Sequence, residues 1–195
     1  MSESDIDRER IVNIVPRLLQ KYTDEVVPKL MEKFGYKNRM AAPRISKIVI
    51  NMGAGEAAHN QEFLEQLMRD LALITGQKPK ICRARKPISN FKIRKGNPIG
   101  VKVTLRNKIM YEFLDRFITF AVPRIRDFRG FPITGFDERG NYNFGLKEYT
   151  IFPEVDLDKV KYTQGMNLTI TIENSSGEES FFLLKELGFP FKRTK

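Results

Sequence analysis

Val26, Val27, Leu30, Met31 and Phe34 recur at helical spacing and are followed by Gly35, which predicts a helix over about residues 17–34 closed by a left-handed cap. Pro28 must then sit in a first turn or mark a kink. Residues 45–52 are short, β-branched and bounded by Gly53 and Gly55, the pattern of a strand that ends in a turn. Phe63, Leu64, Leu67, Met68 and Leu71 form the next buried stripe. Glu62 and Glu65 lie early in that helix, where the dipole favours acids, and Gly76 stops it.

Period-two alternation is clearest from Ser89 to Arg106. Phe91 and Ile93 alternate with Asn90, Lys92 and Arg94; after Gly96-Asn97-Pro98, Val101, Val103 and Leu105 alternate with Lys102, Thr104 and Arg106. This predicts a hairpin with one apolar and one polar face. The helix to cover the apolar face follows at once, with Met110, Phe113, Leu114, Phe117, Ile118 and Ala121 on one stripe, ending before Pro123. Residues 124–148 are rich in Gly, Asn, Arg and Phe without a period and read as a long docking loop. Leu168, Ile170 and Ile172 alternate with Thr169 and Thr171 as a last strand, and a helix over Gly177–Leu187 opens on Glu178 and Glu179 and closes at Gly188. No internal repeat or low-complexity segment is present. The elements sum to an α+β fold: a mostly antiparallel sheet, helices packed on one face, and the other face polar and basic, with long protruding loops.

Charge sharpens that picture. The formal net charge is +10, yet the 41 residues from Leu71 to Tyr111 hold no acid and eleven of the 34 basic residues, leaving 23 against 24 acids in the rest of the chain. A positive field confined to one segment fits a polyanion, because each cation set beside a phosphate releases condensed counterions. Lysines on strands also discourage edge pairing, which accounts for one or two of them. A hairpin face that is basic or amide-bearing throughout needs more, since like charges opposite one another weaken a strand pair and an external anion relieves them.

Other chemistries find little material. Gly53-Ala54-Gly55-Glu56-Ala57-Ala58 has dinucleotide-fingerprint form between a strand and a helix, but the acid expected after a second buried parallel strand is missing, so a tight turn opening a helix is the better reading. His59 is the only histidine, read as surface or helix-start, and Cys82, alone among Lys80, Arg83 and Arg85, has no disulfide partner, catalytic base or zinc-ligand companions. The expectation is a non-enzyme without cofactor or metal and without a small-molecule substrate. No apolar run of membrane-spanning length or signal-peptide pattern occurs, so no membrane association and a cytoplasmic location are expected. The segment from Gly76 to Ser89 sets five basic residues between Pro79, Pro87 and their neighbours, a stiffened loop that presents its charges. A broad face mixing Asn and Thr with cations suits structured RNA, read through backbone and 2′-hydroxyls, more than DNA read by a recognition helix.

Several runs carry a family resemblance: Lys47-Ile-Val-Ile-Asn-Met-Gly53 with Gly55-Glu56-Ala57, Leu73-Ile-Thr-Gly-Gln-Lys-Pro79, Ala84-Arg-Lys86, Phe91-Lys-Ile-Arg-Lys-Gly96, Pro98-Ile-Gly-Val-Lys-Val-Thr-Leu-Arg106, Pro123-Arg-Ile-Arg-Asp-Phe-Arg-Gly130, Gly140-Asn-Tyr-Asn143, Phe152-Pro-Glu154 and Gly188-Phe-Pro-Phe191. Over residues 20–193 the chain resembles the universal large-subunit ribosomal protein five family. The resemblance implies a structural, non-enzymatic protein that binds 5S rRNA and helps attach it in the central protuberance, with 23S rRNA and the other 5S-associated large-subunit proteins as further partners. By position it places 5S rRNA on Asn51, Gln77, Lys78, Lys102 and Thr104, with Arg44 and Lys47 near, and the polar side of the predicted hairpin adds Asn90, Lys92, Arg94 and Arg106 as candidate contacts. The resemblance directs a basic loop (residues 76–92), through Lys80, Arg83, Arg85, Lys86 and Ser89, to the tRNA in the peptidyl site. It turns the long loop, with Arg124, Arg126, Arg129, Arg139 and Asn141, toward small-subunit protein thirteen in an intersubunit bridge. Residues 17–195 are expected to form one α+β RNA-binding domain after an N-terminal extension over residues 1–16. The extension and Cys82, where a threonine is common, depart from the family pattern.

Overall fold

A computed structural model describes residues 15–55 and 60–192. Most of the N-terminal extension, the tail of the glycine-rich turn and His59 lie outside the described residues. The first helical region is α1 (Arg17–Lys21), a π-helical turn over Tyr22–Val26, and α2 (Val27–Phe34). Pro28, at the start of α2, lacks an N–H and crowds the carbonyl four residues back, and the wider π turn upstream makes room for it. The same device recurs where α4 (Asn107–Arg116) runs into a π turn over Phe117–Ala121 and then a 3-10 turn, Val122–Arg124, that contains Pro123. Helical geometry therefore passes through Pro123 instead of ending before it.

The sheet comprises β1 (Arg44–Gly53), β2 (Lys80–Arg83), β3 (Pro98–Leu105), β4 (Tyr142–Leu146) and β5 (Met166–Glu173), in the order β2-β3-β1-β5-β4 with every neighbouring pair antiparallel. Two of these strands differ from the sequence expectation. The partner of β3 in the hairpin is β2, inside the expected basic loop, while Ser89–Phe91 is a 3-10 turn and Lys92 takes a left-handed φ of 52° that breaks the extended run. Likewise, the second half of the expected loop at 124–148 is β4, which pairs with β5 through Asn143↔Thr169 and Gly145↔Asn167.

Alternation along each strand puts Ile48, Ile50, Met52, Val101, Val103, Leu105, Leu168 and Ile170 on the covered side, where all are buried. Over them pack α3 (Gln61–Thr75), α4 and its π turn, and α5 (Gly177–Leu187). Asn60 caps α3 by accepting from Phe63 N at 3.1 Å, and Gly76 ends it at φ 67°. In α5 the Ser176 N–H donates to Glu179 at 2.6 Å, closing the first turn on its own acid. Burial and a hydrogen bond to Glu179 push the Tyr36 hydroxyl up to about 12.

Phenylalanines dominate the far end of the core. Phe117, fully buried, lies 5.5–6.3 Å from the rings of Phe113, Phe131, Phe144, Phe152 and Phe189. A buried polar knot crosses between α3 and the segment after β4, where the Tyr149 hydroxyl donates to Asp70 at 2.8 Å and accepts from Gln66 at 2.9 Å. Burial is the largest influence on that phenol and raises its pKa, with the Asp70 hydrogen bond adding to the rise.

Candidate nucleic-acid interface

Side chains directly opposite one another in antiparallel strands share a face, so strand register defines the uncovered surface row by row. The first row is Lys80, Lys102, Asn51, Asn167 and Gly145 across β2, β3, β1, β5 and β4. The second is Thr104, Val49, Thr169 and Asn143, and the third holds Lys47 and Thr171. No carboxylate occupies any of these positions. Glu173 stands at the end of β5, accepting from Ser46 at 2.7 Å and pairing with Arg44 at 3.0 Å; those hydrogen bonds hold its carboxyl below the usual range. Arg44 is thereby partly neutralised within the protein.

Lys47, Asn51, Lys102 and Thr104 gather on this face as expected. Gln77 and Lys78 lie beside it on the turn from α3 to β2, where Thr75 Oγ1 donates to Leu71 O at 2.7 Å and accepts from Gln77 N at 3.3 Å. Arg106 continues from β3 in extended backbone at the head of α4. Four residues exchange places relative to the sequence expectation: Lys80 belongs to the sheet face, opposite Lys102, whereas Asn90, Lys92 and Arg94 belong to the arm between β2 and β3. Sequence reasoning also missed Asn143 and Asn167, both exposed on this face. The signal for Asn143 was its place between Tyr142 and Phe144, an alternation only five residues long with Gly145 at its other outward position.

The arm is a built structure. Ala84 N donates to Asn97 O at 2.8 Å, Gly96 N donates to Ala84 O at 2.9 Å, and Ile88 and Ile93 bond reciprocally near the tip. Arg83 fastens its base by donating to Gly96 O at 3.0 Å. Arg85, Lys86 and Ser89 are exposed along it, and Phe91 stands at its end with 69% of its surface open.

The distribution of acids separates the molecule into two electrostatic territories, since residues 71–111 hold none. The Arg17–Asp115, Lys29–Glu186, Arg44–Glu173, Arg116–Glu154, Lys159–Asp156 and Lys161–Glu62 pairs all lie outside residues 71–111. Among the described residues, Lys78, Lys80, Arg83, Arg85, Lys86, Lys92, Arg94, Lys95, Lys102 and Arg106 have no carboxylate partner. Two lysines opposite each other on neighbouring strands cost up to about 1 kcal/mol when no anion lies between them.

The third expected region holds no strand or α-helix from Ile125 to Asn141, only a 3-10 turn over Ile133–Gly135 and isolated bridges at Phe131 and Phe136. Arg124, Arg126, Arg129 and Arg139 are exposed on it. Asn141, by contrast, is used internally: its side-chain amide donates to Asp137 at 2.8 Å, its backbone N–H donates to the same carboxylate at 2.7 Å, and its side-chain carbonyl accepts from Ile172 N at 3.2 Å. The Asn141 hydrogen bonds hold the Asp137 carboxyl below its ordinary range. The segment is pinned to the C-terminal run by a parallel bridge, Phe131 N to Pro190 O and Lys192 N to Phe131 O, both 2.9 Å. Among the described residues no cluster of metal-ligating side chains occurs and no helix is long and apolar enough to cross a membrane.

Comparison with known proteins agrees with this architecture. A family model described as "Ribosomal protein L5" matches residues 38–94, and a second, describing the C-terminus of the same ribosomal protein family, matches residues 98–191. The chain is 59% identical over 179 residues to the large ribosomal subunit protein uL5 of Prosthecochloris aestuarii, covering 92% of this chain and 91% of that protein. Identity to the protein of the same name is 55% in Chlorobaculum tepidum, covering 91% of this chain and 97% of that one, and 52% in Clostridium tetani, covering 91% and 99%. The chain belongs to the ribosomal protein L5 family, whose members are structural proteins and not enzymes.

Proposed function

We propose that this protein is a structural constituent of the large ribosomal subunit that seats 5S rRNA on the uncovered face of its sheet and so helps attach it in the central protuberance. The carrying observation is the block of cations without carboxylate partners on that face and the adjoining arm, drawn from a 41-residue stretch that holds no acid, while the six ion pairs among the described residues all lie outside it. Lys47, Lys80, Lys102 and Lys78 supply the phosphate contacts, which position an RNA without reading its sequence. Asn51 and Thr104, neighbours of Lys102 on the face, add directional hydrogen bonds. Arg44 contributes less, because Glu173 already engages it.

The arm is a separate contact. Its exposed Arg85, Lys86, Lys92 and Arg94, with Phe91 at the tip, project beyond the sheet toward the tRNA in the peptidyl site. The arginines of the 124–139 segment face small-subunit protein thirteen, and 23S rRNA and other 5S-associated proteins share the remaining surface. A gel-shift titration with 5S rRNA, tRNA and duplex DNA tests the central assignment. Preference for 5S rRNA supports it, and equal affinity for all three rejects it. Asn51→Ala or Thr104→Ala should weaken 5S rRNA binding, whereas Arg85, Lys86 and Arg94 changed together to Ala should spare it and reduce tRNA contact.

A further inference from the structure

The uncovered face is chemically divided. Its β2–β3 side carries Lys80 and Lys102, while its β4–β5 side carries the neutral Asn143, Asn167, Thr169 and Thr171, with Glu173 at the far end of β5 engaged by Ser46 and Arg44. A face kept polar only for solubility mixes charges of both signs. Phosphate contacts cannot distinguish RNA from DNA, since both backbones carry the same anion, and that distinction falls to groups able to meet the 2′-hydroxyl, which both donates and accepts. Neutral amides and hydroxyls laid beside a row of cations are the chemistry for it.

The local geometry leaves those groups available. Thr169 Oγ1 donates to Asn143 Oδ1 at 2.7 Å, which fixes the amide and leaves its Nδ2 donors free of that bond. Opposite Asn167 stands Gly145, where an added Cβ would come within 3.3 Å of Asn167 Oδ1; the missing side chain keeps this amide uncovered. Asn143 and Asn167 are diagonal neighbours, about 7–8 Å apart at this kind of pairing. Asn167 lies two strands from Lys102, roughly 10 Å. A duplex RNA whose phosphates lie over Lys80 and Lys102 therefore brings its shallow groove over the amides.

We propose that Asn143 and Asn167, with Thr169 orienting the first, form a ribose-reading subsite that contacts 2′-hydroxyls of the seated RNA and supplies preference for RNA over DNA. This rests on the assignment of the sheet face as the 5S rRNA seat. The test is a titration of the whole protein with 5S rRNA and with the all-deoxy strand of the same sequence. It compares wild type with Asn143→Ala/Asn167→Ala and, as a steric block that retains both amides, with Gly145→Val; thermal unfolding establishes that each variant is folded. Loss of two such bonds should weaken binding of the RNA about tenfold or more while leaving the deoxy strand nearly unchanged. The slope of affinity against salt should stay the same, because no cation has been removed. Folded variants with unaltered discrimination, in a background where wild type binds 5S rRNA, overturn the subsite alone. Wild-type protein that fails to bind 5S rRNA overturns the seat and the subsite together.

Discussion

At Gly130 one hydrogen atom decides how the 124–141 segment lies. Its φ is 99°, and an added Cβ would stand 2.5 Å from Lys192 N, in the bridge that ties Phe131 to the C-terminal run. Gly130→Ala should therefore lower stability by about 1–3 kcal/mol, read as a shift in the urea midpoint at constant slope. Asn141 is a second lesson at this scale. By type and position it belongs with Arg124, Arg126 and Arg129 as a docking residue, yet its side chain serves Asp137 and β5. Sequence cannot separate an outward amide from one that holds a turn; only the partner, four residues back, reveals it. Lys92 is similar, since a left-handed lysine is not visible in a string that alternates like a strand.

Among the elements, the helices and the central strands were the most legible. The helical stripe over 61–75, the closing helix Gly177–Leu187 and strands β1, β3 and β5 each repeat their period long enough to be seen. β2 and β4 were not, for a physical reason. They are edge strands of four and five residues, β2 with a register shift between Cys82 and Arg83 and β4 alternating over five residues only, with a glycine at one of its two outward positions, so neither repeats its period long enough to stand out. Misplacing β2 moved Lys80 off the sheet and Asn90, Lys92 and Arg94 onto it. The uncovered face was thus readable at its centre, β1 and β3, and blurred at its edges. At the arm, Phe91→Ala removes an exposed aromatic that packs on nothing buried. It should leave the urea midpoint within about 0.5 kcal/mol of wild type while weakening any stacking contact with tRNA by about 1–3 kcal/mol, measured by footprinting the tRNA on assembled ribosomes.

For the whole molecule, the proposed seat puts binding on the side of the sheet opposite the core that supplies stability. The covered side ends in the phenylalanine cluster, so Phe117→Ala should cost about 3–5 kcal/mol in urea unfolding. Acid should act on the paired charges. Ser46 and then Arg44 depress Glu173, Asn141 depresses Asp137 and Lys161 depresses Glu62; at Glu179 burial works upward but hydrogen bonds from Tyr36 and Ser176 prevail. These folded-state values lie below the unfolded ones of 3.8 and 4.5, so their contribution is present above that range and is lost as pH falls through the folded values. Urea midpoints should thus decline below pH 4.5, and Glu173→Gln should flatten the decline. The uncovered side, with Lys80 and Lys102 unpaired, is the half of the molecule waiting for an anion. Its most direct test is the affinity of the intact protein for 5S rRNA across a salt series. With about five phosphates neutralised, log affinity should fall against log salt with a slope of about −4, and Lys80→Ala/Lys102→Ala should make that slope shallower by nearly two units. A slope near zero, or one that the two lysines do not change, would contradict an RNA seat on this face.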